Sequence, residues 1–183
     1  MLNRDNAINL IREYISKENL VKHMLATGAC MKFLAKRFGE DELLWEIAGI
    51  LHDIDYEHTV KDPEKHGLVS VEILKEKGID NEKILNAILS HCNKKEREEK
   101  IEKAIYAVDP TTGFIVACAL MHPSKSLEGL DLDFMLNRFK ERRFAAGASR
   151  EQMKSIEELG IPLEEFLLLC LDAMRSIKDE LGL

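Results

Sequence analysis

Ala48-Gly49-Ile50-Leu51-His52-Asp53-Ile54-Asp55-Tyr56-Glu57-His58 is the segment on which both the fold and the chemistry of this chain depend. It begins as an apolar helix and ends in a cluster of side chains that titrate or bind metal ions. At its centre lies the adjacent pair His52 and Asp53. We expect the chain to fold its helices around a divalent-metal site built on that pair.

The composition is that of a globular protein of moderate size. The 183 residues are 45% hydrophobic and 32% charged, which predicts one domain over residues 1–183. The net charge of −7 argues against a general binder of duplex nucleic acid or of membrane surfaces, because such proteins present a basic face. We find no apolar signal core and no run long enough to cross a bilayer, so we expect a cytoplasmic location.

The hydrophobic pattern predicts an all-α fold. Apolar residues recur at spacings of three and four, and alternating runs typical of strands are missing. We therefore expect a single-domain helical bundle of about eight to ten helices. Asp62-Pro63 is typical of a helix start, Pro110 should break or reset a helix, and Ser149 to Gln152 match a capping box. The oligomeric state is left open.

A His-Asp pair alone is weak evidence for a site, and its weight here comes from four companions. His23 lies on an earlier predicted helix, on the side that faces the core. Asp109 ends a later apolar segment, where a carboxylate is costly to bury unless something pairs with it. His66 and His91 fall on the two intervening helices. The simpler alternatives are buried salt bridges for the aspartates and core or surface histidines.

The pattern His … His-Asp … Asp, with two further histidines before the last aspartate, resembles the HD superfamily of metal-dependent phosphohydrolases. Three other segments look like an uncharacterised, HDIG-like bacterial branch of that superfamily. They are Val108 to Phe114, the Pro123-Ser124-Lys125 turn and Arg143 to Gly147. The resemblance covers nearly the whole chain and implies an HD-type helical bundle.

The resemblance also implies a ligand set. One metal ion would be held by His23, His52, Asp53 and Asp109, and a second by His66 and His91 with Asp53 bridging. Members with this second pair often have Gly-Lys after His-Asp-Ile, whereas this chain has Asp55-Tyr56. That departure argues against the cyclic-dinucleotide phosphodiesterase branch and leaves the acid-base group unsettled.

The donor types indicate which ions fit. Imidazole ligands suit Fe, Mn, Co, Ni and Zn, and make a site for Mg alone less suitable. A water bound to such an ion loses its proton near neutral pH and can attack phosphorus in line. We therefore expect a phosphohydrolase, using one or two ions, that hydrolyses a small phosphomonoester, nucleotide or phosphodiester by attack of a metal-bound hydroxide. The alternatives are a di-iron oxygenase on the same ligands and a non-catalytic ligand-sensing domain.

Other side chains near the motif are candidates for supporting roles. Asp53, Asp55 and Glu57 are the predicted catalytic carboxylates, with proton transfer or ligand orientation as roles for the last two. The candidates for holding a substrate phosphate are Ser124, Lys125, Arg142 and Arg143. An ordinary basic surface patch is the alternative for that second group.

Overall fold

The computed structural model describes residues 2–183, and all regular structure within them is helical, which confirms the all-α prediction. The helices are α1 (Arg4–Tyr14), α2 (Glu18–Phe38), α3 (Glu42–Leu51), α4 (Tyr56–Thr59), α5 (Leu68–Glu76), α6 (Glu82–His91), α7 (Lys100–Met121), α8 (Leu132–Lys140), α9 (Arg150–Lys154), α10 (Leu163–Ser176) and α11 (Lys178–Leu181). Eight of these have nine or more residues, in the predicted range. Two short 3-10 helices span Pro63–Lys65 and Ser155–Leu159.

Helix α2 forms the centre of the core, packed against α3, α7 and α10. It can pack on three sides because its middle is rich in small residues. Where α2 crosses α3, Gly28 faces Gly49, and a Cβ on Gly49 would lie 2.7 Å from the Cα of Gly28. The two backbones therefore touch. This contact fixes the position of His23 on α2 relative to His52 at the end of α3.

Helix α7 is continuous through Pro110, so the predicted break there is wrong. A proline inside a helix leaves the carbonyl four residues earlier without its backbone donor, here Tyr106. The Nε2 amide of Gln152 donates to that carbonyl at 2.8 Å and replaces the missing bond. Ser149 accepts from the backbone of Gln152 and caps α9 as predicted, but the Gln152 side chain serves α7 instead of completing the capping box.

The segment after Asp62-Pro63 also differs from its prediction. Only a 3-10 turn begins at Pro63, and α5 starts at Leu68, so His66 lies in the loop between them. Gly67 adopts φ 80°, a left-handed conformation in which a side chain is strained. A Cβ there would also collide with the Sγ of Cys92. This glycine therefore lets the chain turn tightly and present His66 beside α6.

Helix α7 is long and apolar enough to cross a membrane, contrary to the prediction that no such run exists. Length and composition alone are weak evidence, because the core helix of a globular protein passes the same test. Here 56% of the most apolar window is buried inside the protein. Helix α7 packs against α2, α6 and α9, as a core helix does.

Candidate metal centre

Five of the six predicted ligands line one cavity of about 400 Å³, and the sixth, His52, lies beneath it. Its walls carry His23, His66, His91, Asp53 and Asp109. The floor is His52, whose side chain is fully buried between His23 and His91, with ring centroids 5.1 Å and 5.0 Å away. Residues that are 86 positions apart in sequence, His23 and Asp109, approach to 3.2 Å between Nε2 and Oδ1.

Asp53 lies between two groups of histidines, and each of its carboxylate oxygens faces one group. Its Oδ2 lies 3.5 Å from the Nε2 of His52 and 3.7 Å from the Nε2 of His23. Its Oδ1 lies 3.3 Å from the Nε2 of His91 and 3.4 Å from the Nε2 of His66. Asp53 would therefore offer one carboxylate oxygen to a metal ion held by each group of histidines.

The arrangement divides into two parts, which we name here. The His23 half-site consists of His23, His52 and Asp109 with the Oδ2 atom of Asp53. The His66 half-site consists of His66 and His91 with the Oδ1 atom of Asp53. Ligand atoms of His23, His52 and Asp109 lie within 4.8 Å of one another, as do those of His52, Asp53 and His91.

Three of the four rings are held by acceptors on their outer side. The Nδ1 of His52 donates to the Gly49 carbonyl at 2.7 Å, and the Nδ1 of His91 donates to the Ile88 carbonyl. The Nδ1 of His66 donates to the Asp55 carboxylate at 2.8 Å. Carbonyl and carboxylate oxygens only accept, so each Nδ1 carries the proton and each Nε2 turns a lone pair inward.

His23 reaches the same state through a hydroxyl. Thr112 Oγ1 donates to the Asp109 carbonyl at 3.0 Å, which uses its only proton. The Nδ1 of His23, at 3.0 Å, must then donate to that oxygen. All four inward Nε2 atoms are thus free to bind a cation.

The inward atoms fit a metal ion better than they fit one another. The Nε2 of His52 is buried and has no hydrogen-bond partner among residues 2–183. The Nε2 atoms of His66 and His91 face each other at 3.1 Å, which sets two lone pairs in opposition. A buried polar atom without a partner is destabilising, and a cation accepting these lone pairs removes both defects.

The electrostatics of the carboxylates agree with this. Burial opposes the charge on Asp53, but His52 and His91 outweigh it and lower its pKa. Burial likewise opposes the charge on Asp109, but the adjacent His23 and His52 outweigh it and hold its pKa well below its usual value. Both carboxylates therefore stay ionised, as metal ligands must.

Asp55 lies behind His66 and away from the cavity wall. Its side chain is fully buried and accepts hydrogen bonds from His66 and from the backbone amides of Gly67 and Ser70, at 2.8 to 3.0 Å. Burial raises its pKa, but these donors outweigh burial and lower it. Asp55 is placed to orient His66, the second of its two predicted roles.

Glu57 is not brought to the cavity. Its carboxylate accepts from the backbone amides of Ser16 and Lys17 and from the Ser16 hydroxyl, just before α2 begins. These amides lie just before the N-terminal end of that helix, where a negative charge is favoured. The carboxylate predicted to be catalytic therefore anchors the start of α2.

The predicted phosphate-binding residues also lie outside the cavity. Ser124 and Lys125 follow the C-terminal end of α7, more than twelve residues beyond Asp109, or about 18 Å along a helix. Lys125 donates through its ammonium to the Leu120 carbonyl and so closes that helix end. Arg142 and Arg143 lie exposed in the loop after α8 and do not line the cavity.

Four wall residues were not singled out as site residues from the sequence: Leu20, Tyr56, Cys92 and Gln152. Tyr56 packs edge-on against His66, with ring centroids 5.7 Å apart. Cys92 donates to the His66 carbonyl, and burial raises its pKa to about 11, so it stays a thiol. Gln152 reaches the wall from α9 because α7 needs its amide at Tyr106. The sequence does contain a signal for such a residue, because Pro110 leaves a backbone carbonyl to which some side chain has to donate.

Comparison with known proteins gives the family. The sequence model of the HD domain matches residues 20–133, more than half of the chain and all six candidate ligands. The chain is similar to Ribonuclease Y of Thermoanaerobacter pseudethanolicus, with 23% identity over 175 residues, and to Ribonuclease Y of Enterococcus faecalis, with 27% identity over 176 residues. These alignments cover 89% and 90% of this chain but only 32% of each relative.

No solved structure matches the chain. The family assignment therefore rests on the sequence match together with the convergence of the histidines and aspartates that the match contains. Both lead to the same conclusion: this chain belongs to the HD domain family, the superfamily of metal-dependent phosphohydrolases.

Proposed function

We propose that this chain is a metal-dependent phosphohydrolase that cleaves a small phosphomonoester, nucleotide or phosphodiester. One observation carries the proposal. The four inward Nε2 lone pairs and the two ionised carboxylates of Asp53 and Asp109 surround one cavity, and the Nε2 of His52 has no protein partner among the described residues. A cytoplasmic location is part of the same proposal.

The two half-sites support two divalent ions that share Asp53. The mixture of imidazole and carboxylate donors suits Fe, Mn, Co, Ni and Zn. When bound, the ions activate a water molecule and stabilise charge on the phosphoryl oxygens. The charges favour an anionic substrate, because two carboxylates do not neutralise two divalent ions.

The residues around the cavity orient the histidine ligands more than they supply acid-base groups. Asp55 holds the ring of His66, and the carbonyls of Gly49 and Ile88 hold those of His52 and His91. Among the residues lining the cavity, the carboxylates are Asp53 and Asp109, and both face histidines. Tyr56, 38% exposed on the wall, is the side chain there that can offer a hydroxyl to the departing group.

RNA is a second candidate substrate because of the name of the relatives to which this chain is similar. The curated relatives named above are called Ribonuclease Y, although the chain spans only about a third of their length. Against it stands the charge of −7, which disfavours a long polyanion. A short RNA oligonucleotide therefore belongs in the substrate panel.

The test begins with elemental analysis of the purified protein. Protein stripped and reloaded with Mn, Co, Ni, Fe or Zn is then assayed with phenyl phosphate, bis-phenyl phosphate, nucleotides and an RNA oligonucleotide. We expect about two ions per chain and hydrolysis of at least one of the small esters. Absence of hydrolysis with every metal, in protein shown to be loaded, would exclude the proposal. Oxygen consumption by the iron form alone would favour the oxygenase instead.

A further inference from the structure

A second cavity lies beside the metal centre, and His23 belongs to the walls of both. It has a volume of about 460 Å³ and lies between α2, α7 and α11. That size is within the range of about 300 to 1,000 Å³ typical of small-molecule pockets. We call it the His23 chamber. On its side of His23 lies Thr112, which holds the Nδ1 atom of the ring.

The walls of the His23 chamber are mostly apolar. Ala26 contributes from α2, Val116 and Leu120 from α7, and Leu181 from α11. Leu120 is 51% exposed, which is high for a large apolar side chain. A wall of this kind binds the apolar body of an organic group better than it binds water.

One cation faces this apolar space. Lys22 lies next to His23 in sequence and lines the chamber, and its Nζ would lie 3.1 Å from a Cβ placed on Gly182, another wall residue. No ion pair or hydrogen bond engages the Lys22 ammonium within residues 2–183. By contrast, Lys32 is paired with Glu46. Lys22 acts on the carboxylate of Glu18 only through its charge, because that carboxylate is hydrogen-bonded to Arg12. Lys22 is therefore available to an anion that enters the chamber.

The opposite flank of the metal centre is less suitable for such an anion. The cavity that shares Gln152 with the metal centre is lined by Glu151, Glu157 and Glu158. Its arginine, Arg97, is already stacked on Tyr106 at 3.7 Å and bonded to Asn93. Lys154 also lines this cavity, so three carboxylates face two cations and the net negative charge disfavours a second anionic group.

We propose that the His23 chamber receives the leaving group of the substrate, and that this group has an apolar body and an anionic end paired with Lys22. The inference rests on the phosphohydrolase function proposed above. It narrows the substrate class to phosphomonoesters whose organic part carries a carboxylate or a second phosphate. The scissile phosphate lies at the metal centre, and the organic part extends past His23.

The test compares para-carboxyphenyl phosphate with phenyl phosphate, which differ by one carboxylate. We expect the wild-type protein to prefer the carboxylated ester in kcat/KM, and Lys22→Met to reduce that preference about tenfold, the value of a hydrogen bond to a charged group. Lys36→Met, on the exposed face of the same helix, is the matched control and keeps the preference. An unchanged preference in Lys22→Met would overturn the proposal.

Filling the His23 chamber with a larger side chain is a second, independent test. Gly113 lines the chamber from α7, and a Cβ there meets no atom within 4 Å. Gly113→Phe should raise KM for both esters severalfold, whereas Gly113→Ala, which adds one carbon, should have a far smaller effect. Equal KM values in Gly113→Phe and Gly113→Ala, in protein that unfolds like the wild type, would show that the chamber is not used.

A binding measurement separates failure of this inference from failure of the proposed function. Benzoate is titrated into metal-free protein, and the methyl signals of Ala26 and Val116 are followed by NMR. We expect saturable shifts that weaken in Lys22→Met, and competitive inhibition of ester hydrolysis in the loaded protein. Shifts with inhibition of kcat alone would place an effector, not the leaving group, in the chamber. Absence of hydrolysis with intact benzoate binding would refute the phosphohydrolase function and with it the leaving-group role, while the chamber would still bind a carboxylated apolar group.

Discussion

The His23 half-site takes its side chains from the packed core, whereas the His66 half-site takes one histidine from a loop. His23 and Asp109 lie within α2 and α7, and His52 ends α3. His66 follows a 3-10 turn and precedes a left-handed glycine, and the Asp55 hydrogen bonds fix its ring. The first half-site is thus positioned by helix packing, and the second by a small buried polar network. The two should respond differently to mutation.

The largest effect should come from the helix crossing on which the His23 half-site depends. In Gly49→Ala the new methyl would lie 2.7 Å from the Gly28 backbone, so α3 has to move away from α2. We expect a loss of about 3 kcal/mol in the free energy of unfolding, measured by urea denaturation. Gly113→Ala is the control, because its Cβ meets open space and alanine favours the helix. Equal stability of the two variants would show that α2 and α3 can move apart at their crossing with little loss of stability.

The next effect distinguishes the shared ligand from an unshared one. Asp53→Asn removes the charge that faces both histidine groups, and we expect loss of both ions and a fall in activity of at least about a thousandfold. Asp109→Asn should lose only one of the two metal ions, because its carboxylate faces only His23 and His52. Elemental analysis of the two variants decides this. Retention of one ion by Asp53→Asn would mean that the carboxylate does not bridge.

Asp55 tests the polar network of the His66 half-site. Asp55→Asn keeps the shape but weakens the hold on the Nδ1 of His66, so affinity for the second ion should fall by about 10- to 100-fold while the first ion stays. A chelator titration followed by elemental analysis should show the ions leaving in two separated steps. Glu57→Gln is the comparison variant, because its carboxylate serves the start of α2, and both ions should stay. Simultaneous loss of both ions in Asp55→Asn would contradict the division into half-sites.

The same contrast explains how much could be predicted from the sequence. The histidines and aspartates on helices follow from the hydrophobic period, which places His23 and Asp109 on faces that turn to the core. The supporting residues do not follow from it. Glu57 adjoins the motif in sequence but points to Ser16, and Lys125 is basic but bonds to the Leu120 carbonyl. Which backbone group a polar side chain satisfies depends on chain geometry that residue type does not contain.

The placement of Lys125 and of the arginine pair shows the limit of arguing from charge. Positive residues after an apolar helix indicated a phosphate site, yet Lys125 lies beyond the C-terminal end of α7, whereas Asp109 lies near the middle of that helix. Gln152 shows the reverse case, since Pro110 implies an unsatisfied carbonyl at Tyr106. Sequence reasoning could identify that need, but not which side chain meets it.

The smallest expected effect concerns α7, which carries Asp109 to the His23 half-site. Gln152→Ala leaves the Tyr106 carbonyl without its donor and should lower the free energy of unfolding by about 1 kcal/mol. In a Pro110→Ala background the backbone amide at position 110 can bond to Tyr106, so Gln152→Ala should cost less there. A double-mutant cycle on unfolding free energies measures this coupling. Additive costs would show that Gln152 stabilises the protein through other contacts and that α7 tolerates the proline unaided. A positive coupling would show that a side chain from α9 keeps straight the helix that delivers a core ligand, so the packed half-site also depends on one distant hydrogen bond.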